Sequence, residues 1–394
     1  MATAAAAPAA ASRTTAPAVT SPPASGGGGV IPFVRGSGLS RYKFYDSSTL
    51  TLLTNTQDLG PIPIKAFDYM RSLLIIVSTV TAGGGSGATT VEDGPFISLT
   101  NVKVEQPNGQ TMYQTPSGWE SAMIHKYGGY AGYNDPRAQN SFAYSTGSGT
   151  APTFGYMIRI PFELNVRDAL GALPNKDANA PFNLYLTLNT LANVYGGSPT
   201  TPTLRVQVYL EAWDQPPTTL NGQSVETTPP NMNTLQRWTS QPIAVNSGQF
   251  DAQLKRLGNL IRMIIPTLRR SSSTRANGQT DWPDPMQVVI DEDTKDNIAK
   301  TAWTLDIYEK WGYGAIAAGG TGTAVTADAV GGYDNGVFPY DYCHEFDGRV
   351  GHELGDLYLP TIESEAFILR GSWGNNGTLT VDFNEVLPQG NIFT

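Results

Sequence analysis

Cysteine is nearly missing from this chain, which has a single one, Cys343, among 394 residues. One thiol cannot form an intramolecular disulfide, so the class of small secreted domains held together by disulfides is excluded. The stability of a 42.2 kDa chain must then come from packing, and oligomerisation would add to it. We expect the protein to be made in a reducing compartment.

Positive charge is scarce as well. The chain has 25 Lys and Arg against 34 Asp and Glu, which gives a net charge of −9 and a pI of about 4.9. Residues 1–34 hold one charged side chain, Arg13. Neutralisation of phosphates supplies most of the affinity in nucleic-acid binding. The charge balance therefore predicts no direct binding to a genome or to RNA.

Long hydrophobic runs are missing too. The strongest, LLIIV at 73–77, has the length of a buried strand and is far shorter than the ~18–20 residues that cross a bilayer. The Ala-rich residues 1–12 lack a basic leading region and are interrupted by Pro8, so we do not expect a secretory signal.

The usual signatures of catalysis and metal binding are also absent. There are three histidines, no serine in a G-x-S-x-G setting and no phosphate-binding glycine loop. Cys343, His344 and His352 lie close in sequence, but the spacing of the two histidines fits no zinc site. Residues 291–296 carry Lys295 where a calcium loop needs a ligand, which favours a solvated hairpin turn. The sequence predicts no catalytic residue, no cofactor and no bound metal.

Turn formers and strand formers are what the chain does have. It contains 42 Gly and 28 Pro, is 40% hydrophobic and is only 15% charged. Such a composition is typical of a loop-rich all-β protein with a packed core.

Apolar blocks recur in a comparable order in the two halves of the chain. Trp119 and Trp303 occupy matching places in the two series, as do Pro95 and Pro285. The order predicts two similar β-rich modules side by side, an arrangement suited to tiling a surface. The blocks of the first series are RSLLIIVSTV (71–80), FISLTNVKVEQPNGQTM (96–112), SGWESAMIHKYG (117–128), GYMIRIPFEL (155–164), FNLYLTL (182–188) and LRVQVYLEAW (204–213), and those of the second are LGNLIRMIIPTL (257–268), MQVVIDEDTKDNI (286–298), TAWTLDIYEKWG (301–312), GVFPYDYCHEF (336–346), SEAFILRG (364–371) and TLTVDFNEVL (378–387).

Changes in composition divide the chain into five segments. Residues 1–30 are almost entirely Ala, Pro, Thr, Ser and Gly, so they cannot bury enough apolar surface to order themselves. Two proline pairs and many Thr and Asn indicate a linker before the second module. The predicted segments are a disordered or extended arm at 1–40, a first module at 41–216, a linker at 217–247, a second module at 248–388 and a tail at 389–394.

Each module is expected to carry a short helix centred on its tryptophan. Ser117 with Glu120 three residues later has the form of a capping box, with Trp119, Met123 and Tyr127 on the buried side. The matching segment 301–312 fits either a helix or a strand, and the parallel with the first copy favours the helix. Long loops follow at 128–153 and 312–335, and loops of that length in compact domains are usually functional or interfacial.

One stretch of the second module concentrates positive charge. Pairing with the acidic remainder of other subunits is the simpler interpretation, and contact with anionic lipid headgroups or an acidic partner is the alternative. The residues are Lys255, Arg256, Arg262, Arg269, Arg270 and Arg275.

Four of the seven tryptophans fall at predicted strand ends or turns, where an exposed indole can stack on a sugar. Packing in the core or at a subunit interface is the more common role of such residues. The four are Trp213, Trp238, Trp282 and Trp373.

The order of the blocks resembles a known family. An extended apolar strand, DGPFISLTNVKVEQPNGQTMYQTPSGW (93–119), a long loop, GYMIRIPFEL and LRVQVYLEAWDQPP are similar to the first half of the major capsid proteins of tailless, internal-membrane-containing phages of the tectivirus type. DNGVFPYDYCHEFDG (334–348) before two closing strands resembles the second half of that family. The resemblance covers about residues 45 to 390, and the arm departs from it because it is Ala-, Pro- and Gly-rich instead of Gln-rich.

The resemblance implies an all-β double jelly roll: two tandem eight-stranded sandwiches with short helices and long loops. It implies pseudo-hexagonal homotrimers that assemble into an icosahedral virion shell, with synthesis in the host cytoplasm. Its implied partners are neighbouring trimers, penton and minor capsid proteins, and an internal membrane that the basic stretch at 255–275 could contact. It implies no catalytic residues.

Two other classes stay open at this point. A secreted two-module β-sandwich that binds carbohydrate would use exposed tryptophans, and a β-sandwich hydrolase would need a pair of acids in a cleft.

Overall fold

The computed structural model describes most of the chain between residues 29 and 387. The predicted tail, residues 1–28 of the predicted arm, and the two histidines His344 and His352 lie outside the described residues. Besides the two ends, the segments not described are 86–87, 132–134, 140–141, 146–149, 197–198, 233, 257–258, 277–280, 314–331, 344–345, 347, 351–357 and 363.

Strands dominate both halves of the chain. In the first half they are β1 (Leu39–Thr51), β2 (Gln57–Asp58), β3 (Ile62–Pro63), β4 (Tyr69–Thr81), β5 (Thr89–Thr90), β6 (Leu99–Glu105), β7 (Thr111–Ser117), β8 (Ala143–Ser145), β9 (Thr153–Pro161), β10 (Leu173–Pro174), β11 (Asn183–Leu188), β12 (Tyr195–Gly196) and β13 (Thr203–Trp213). In the second half they are β14 (Thr219–Leu220), β15 (Gln223–Ser224), β16 (Leu235–Val245), β17 (Gly248–Gln253), β18 (Leu260–Arg270), β19 (Met286–Ile290), β20 (Asp293–Ile298), β21 (Tyr340–Asp341), β22 (Leu359–Pro360), β23 (Phe367–Trp373) and β24 (Gly377–Leu387).

The described helices are few and short. They are α1 (Phe33–Gly36), α2 (Gly118–Tyr127), α3 (Leu191–Val194) and α4 (Lys300–Trp311), with 3-10 turns at Phe96–Ser98 and Pro136–Ala138. Within the described part of the chain, no helix has both the length and the apolar character needed to span a bilayer.

The two halves have the same strand topology. In the first half, one sheet runs β1-β13-β4-β9 and the other runs from β2 and β3 through β11 and β6 to β7. In the second half, the corresponding sheets run β16-β24-β18-β21 and β17-β23-β19-β20. Each pairing along these paths thus has its counterpart in the second half, and β8–β9 and β5–β12 are additional pairings of the first half. This order, in which the first and last strands are neighbours, is that of a jelly roll, and the chain is a double jelly roll.

The jelly rolls share a sheet. β7, at the margin of the first jelly roll, pairs in parallel with β16, at the margin of the second, through Tyr113 opposite Trp238 and Gln114 opposite Thr239. One ten-stranded sheet therefore crosses from one half of the chain to the other. A single large core cluster likewise includes residues of both halves.

Local sequence explains the main elements. Leu204, Val206, Val208 and Leu210 of β13 are fully buried and alternate with partly exposed residues, as period-2 patterning predicts. The turn between β6 and β7 falls at the PNG sequence, where Gly109 has a φ of 82° that other residues rarely adopt. β19 and β20 form the second hairpin, and its turn lies at the acidic residues 291–292.

The helices confirm the expectation from the two tryptophans. α2 begins after Ser117, whose Oγ accepts a hydrogen bond from the Trp119 backbone N–H at 3.1 Å. The second segment is also a helix, α4, with Trp303, Ile307 and Trp311 on its buried side. Both helices follow the equivalent hairpin of their jelly roll, β6–β7 and β19–β20.

The segment 217–247, predicted as a linker, contains a long strand. Residues 235–245 form β16, which pairs along its whole length with β24 and so belongs to the sheet of the second jelly roll. The pattern of this strand is hard to recognise because buried positions are held by Gln236 and Trp238 among polar neighbours. For residues 217–234 the linker stays a prediction. The strands among the described residues of this range are those of the hairpin β14–β15.

Candidate functional site: the junction between the jelly rolls

Helix α2 of the first jelly roll is completely buried. Every residue from Gly118 to Tyr127 is shielded from solvent, including the charged Glu120 and Lys126. A surface helix would keep such side chains in water. They are buried here because elements of the second jelly roll pack against this helix.

Lys126 is the centre of a buried ion network across the junction. Its Nζ donates to Asp135 Oδ2 at 2.9 Å and to Asp334 Oδ2 at 2.7 Å, and its side chain has no exposed surface. Arg137 donates to the same two carboxylates, at 2.7 Å to Asp135 and 3.0 Å to Asp334. Two cations thus meet two carboxylates, and the charges balance.

The two predicted long loops supply this network. Asp135 and Arg137 lie in the loop 128–153 of the first half, whereas Asp334 lies in the loop 312–335 of the second. The prediction that these loops have an interfacial role holds for these described residues within the chain. The segment 314–331 of the second loop lies outside the described residues.

The network fixes the charge states of its acids. Burial opposes ionisation of Asp334, but the positive charges of Lys126 and Arg137 outweigh it and lower the pKa of this carboxyl. Burial likewise opposes ionisation of Asp135. Its hydrogen bonds with Arg137 and the charge of Lys126 outweigh burial and lower its pKa. Both acids are therefore ionised at neutral pH.

Aromatic rings surround the network. Tyr127 donates its hydroxyl proton to Asp334 Oδ2 at 2.8 Å, and burial raises the pKa of Tyr127 well above its ordinary value. Trp311, the last residue of α4, donates its indole N–H to the Tyr127 carbonyl oxygen at 2.7 Å. Lys126 lies over the ring of Tyr313, 4.4 Å from its centroid. The ends of α2 and α4 are thereby joined.

A second ionic cluster holds the other end of α2. The guanidinium groups of Arg269 and Arg275 lie 4.8 Å and 4.9 Å from the centre of the Trp119 ring. Arg269 pairs with Asp93 and, at 3.1 Å, with Glu120; Arg275 pairs with Asp93 at 2.7 Å. The tryptophan and the acids come from the first half and the arginines from the second, so this cluster also bridges the junction.

The two tryptophans are buried, as predicted, and one of them also contacts the other jelly roll. Trp303 packs against Trp282 at a ring-centroid distance of 4.1 Å and against Phe338 at 5.8 Å, all within the second half. Trp119 belongs to the large core cluster and in addition contacts Arg269 and Arg275 of the second half. Sequence reasoning missed this because the arginines are about 150 residues away in the chain.

The structure does not bring the six basic residues of 255–275 together on one surface. Arg262 is fully buried and Arg275 is 8% exposed, so neither can reach a lipid headgroup. Arg269 pairs across the junction, and Arg270 pairs with Asp281 at 2.7 Å. Lys255 and Arg256 are the exposed residues of the six, and the Arg270 side chain beside Asp281 is 38% exposed. The acidic partners of Arg269, Arg270 and Arg275 belong to the same chain.

Three of the four tryptophan candidates are buried and are not available for stacking on a sugar. Trp213 is 8%, Trp238 0% and Trp373 2% exposed. Packing in the interior, the interpretation that the sequence favoured, is confirmed for these three. Trp282 is half-buried and packs between Trp303 and Phe338.

The histidine and acid candidates that the structure describes form no metal or catalytic site. His125 is buried in α2, and burial lowers its pKa to about 3, so it is neutral. Asp291 lies in the β19–β20 turn and accepts backbone N–H groups of Glu365 and Ala366 at 2.6 Å and 2.9 Å. Among the described residues, no three His, Cys, Asp or Glu side chains are placed to hold a metal ion. The described residues of the junction form ion pairs and hydrogen bonds that join the two jelly rolls.

Comparison with known proteins supports the fold. No family model and no curated protein sequence matches this chain. Among solved structures, the STIV MCP superposes with a TM-score of 0.57 at 12% identity, over 89% of this chain and 97% of that one. The atomic structure of Sulfolobus Turreted Icosahedral Virus gives 0.56 at 12% identity, over 89% and 91%. The major capsid protein P2 of Bacteriophage PM2 gives 0.49 at 11% identity, over 91% and 100%. The similarity is to double jelly-roll major capsid proteins, and at these identities it establishes the shared fold.

Proposed function

We propose that this chain is the major capsid protein of an icosahedral virus and that it assembles as pseudo-hexagonal homotrimers. The observation that carries the proposal is the end-to-end superposition on the STIV MCP, which spans nearly all of both chains. The repeated topology adds to it, since three chains with two similar jelly rolls each form a ring of six similar units. The role is structural, not enzymatic.

The proposed partners follow from this role. They are neighbouring trimers, penton and minor capsid proteins, and an internal membrane, with the virion as the final location and the host cytoplasm as the place of synthesis. The carbohydrate-binding alternative loses its support because three of the four tryptophans on which it depended are buried, and Trp282 packs between two aromatic rings.

The oligomeric state tests the proposal directly. Light scattering on the purified full-length chain should give about three times the chain mass of 42.2 kDa, because a ring of six jelly rolls needs three copies. Negative-stain images should show hexagonal outlines or closed shells. A stable monomer at micromolar concentration, with no larger assemblies, would contradict the capsid role.

The chain is expected to bind anionic lipid but not DNA. Lys255 and Arg256, the two exposed members of the basic stretch, are proposed to contact anionic headgroups, whereas the acidic chain should not hold DNA at physiological salt. Replacing both by glutamate should weaken flotation with anionic liposomes at least about tenfold at low salt, since each basic residue near such a surface contributes about 1 kcal/mol.

The matched control is Lys65→Glu/Arg167→Glu, a double charge reversal at exposed residues of the first jelly roll. Equal loss of flotation in the control would mean that overall charge, not this surface, governs binding. Salt-resistant retention of DNA in a gel-shift experiment would contradict the expected lack of genome contact.

A further inference from the structure

A cleft of about 290 Å³ lies where the first jelly roll meets the second. Its walls come from both halves of the chain: strands β4 and β9 and the loop after α2 on one side, and residues 349–350 on the other. Three of the lining side chains are arginines, Arg71, Arg159 and Arg349, and one is an acid, Glu163. In a chain with a net charge of −9, this composition is a local concentration of positive charge.

Strand alternation turns Arg159 away from the core and toward this cleft. Its neighbours in β9, Ile158 and Ile160, are fully buried in the core, so the arginine points to the opposite face of the sheet. On that face Arg159 Nη1 donates to Ser72 Oγ at 3.2 Å and to Glu211 Oε2 at 2.6 Å. The two contacts hold the guanidinium group at the wall of the cleft.

A β-bulge brings Arg71 to the same cleft. Where β4 pairs with β13, Ser72 lies opposite Glu211 and Met70 lies opposite the next residue, Ala212, so Arg71 is an extra residue between them. A bulge changes the direction of the side chain that it leaves unpaired. Arg71 and its neighbour Ser72 consequently both line the cleft.

A glycine contact brings the second jelly roll to the cleft. Gly129 has a φ of 86°, and a Cβ atom at this position would lie 2.9 Å from Val350 N and 3.1 Å from Gly348 O. Only glycine allows the two backbones to approach so closely in this conformation. Arg349 lies between Gly348 and Val350 in sequence, is exposed, and lines the cleft from the second jelly roll.

The acids beside the cleft are shared among several arginines. Glu163 pairs with Arg71, and Glu211 pairs with both Arg159 and Arg41. Three arginines of the first jelly roll therefore share two carboxylates. Burial also raises the pKa of Glu163 to about 7, so this carboxyl carries only part of a negative charge at neutral pH.

Arg159 can accept a further hydrogen-bonding partner. Its hydrogen bonds both start from Nη1, and its Nε is buried with no protein partner among the described residues. Burial and the positive charges of Arg71 and Arg41 lower the pKa of Arg159, although Glu211 opposes this shift. An anion beside Arg159 would relieve both conditions, because it would accept the Nε proton and reduce the repulsion between like charges.

We propose that this cleft binds a small oxyanion of the phosphate or sulfate class, held by Arg71 and Arg159 of the first jelly roll and by Arg349 of the second. Guanidinium groups bind such ions through paired N–H donors. A water molecule occupies ~30 Å³ in the liquid, so the cleft has room for one such ion and several waters.

Three guanidinium groups on three separate elements favour a tetrahedral ion. A carboxylate offers two oxygens in one plane, whereas a phosphate group offers oxygens in several directions at once. The bound ion joins a loop of the second jelly roll to a sheet of the first, in addition to the two ionic clusters at the junction. A single chain carries the whole cleft, so binding does not depend on assembly.

Isothermal titration calorimetry of the purified full-length chain with inorganic phosphate tests the site. The wild type should bind one ion per chain in a saturable manner. Arg349→Gln should weaken the affinity at least about tenfold, the loss expected for one hydrogen bond to a charged group. Arg159→Lys should also weaken it, because lysine keeps the charge beside Glu211 but lacks the planar pair of donors.

The matched control is Arg167→Gln, which removes the same charge from an exposed position next to Val166, a residue that lines the cleft. Its affinity for phosphate should stay close to that of the wild type, because Arg167 is not among the lining residues and water and salt screen its charge. Unfolding midpoints without phosphate that lie close to the wild-type value show that the variants fold.

The phosphate group could belong to a free ion or to a lipid headgroup, and a second titration separates these sources. Its probe is dihexanoyl phosphatidic acid, a soluble lipid with a terminal phosphate, used below the concentration at which it aggregates. Binding of inorganic phosphate that depends on Arg349 supports the site with a free ion as ligand. Binding of the lipid alone, with the same dependence, supports the site with a headgroup as ligand.

Three results would overturn the proposed site. They are no saturable binding of either probe, an unchanged affinity in both Arg349→Gln and Arg159→Lys, and an equal loss of affinity in Arg167→Gln. None of them bears on the capsid role, which light scattering and negative-stain images test separately.

Discussion

Replacing Asp334 by alanine is expected to lower the free energy of unfolding by about 3–5 kcal/mol. The variant leaves Lys126 and Arg137 buried with one carboxylate instead of two, and it removes the acceptor of the Tyr127 hydroxyl. An uncompensated buried charge is far more costly than the pair itself is stabilising. Chemical denaturation at neutral pH measures the change.

The pH dependence of the wild type provides a second readout of the same network. The pKa of Asp334 in the folded chain lies below its ordinary value of 3.8. Its contribution to stability is therefore fully present above that value and is lost as the pH falls through the folded pKa. The alanine variant should lack this part of the acid dependence.

A surface pair offers the matched control. Asp251 pairs with Arg370 at 2.7 Å, and the two side chains are 54% and 46% exposed. Because water and salt screen such a pair, Asp251→Ala should cost less than about 1 kcal/mol. Equal losses in the two variants would show that the buried network has no special role in joining the jelly rolls.

Replacing either helix tryptophan by alanine is expected to cost about 3–5 kcal/mol, as for other large buried aromatic side chains. The two variants should become susceptible to protease in different parts of the chain. Trp119→Ala removes the ring between Arg269 and Arg275, so protease cleavage should increase at the junction between the halves. Trp303→Ala removes the partner of Trp282 and Phe338, so cleavage should increase within the second jelly roll.

Phenylalanine at each position is the control, because it keeps an aromatic face and leaves a smaller cavity. Both phenylalanine variants should lose less stability than the alanine variants. An unchanged unfolding midpoint in Trp119→Ala would mean that the cation–aromatic contacts at the junction contribute nothing measurable. The same cleavage pattern in both alanine variants would contradict the assignment of Trp119 to the junction.

The sequence predicts well those elements that are specified by neighbouring residues. The cap at Ser117, the PNG turn and the alternation of β13 each depend on residues close together in the sequence. The structure contains all three. The double jelly roll follows from the order of such elements. These features could be predicted because their causes are local.

Features that depend on distant partners were missed. The acids that pair with Arg269 and Arg275 lie far away in the chain, at Asp93 and Glu120, so six basic residues close in sequence resembled a surface patch. β16 was assigned to a linker because its buried side chains include the polar Gln236, whose amide donates to the Glu163 carbonyl oxygen at 2.6 Å. In both cases the side chain is buried or paired by residues that are distant in the sequence. The local sequence pattern carries no information about such partners.

The unequal burial of α2 and α4 also bears on how the two halves can change over evolutionary time. Where α2 has Ser121 and Ala122, shielded on all sides, α4 has Leu305 and Asp306, which remain partly in water. A substitution that enlarges a side chain in α2 must displace the neighbouring half of its own chain, whereas α4 tolerates larger and charged residues. Two repeats of common origin would therefore accumulate substitutions at different rates. Their shared strand topology would remain recognisable after their sequence identity had been lost.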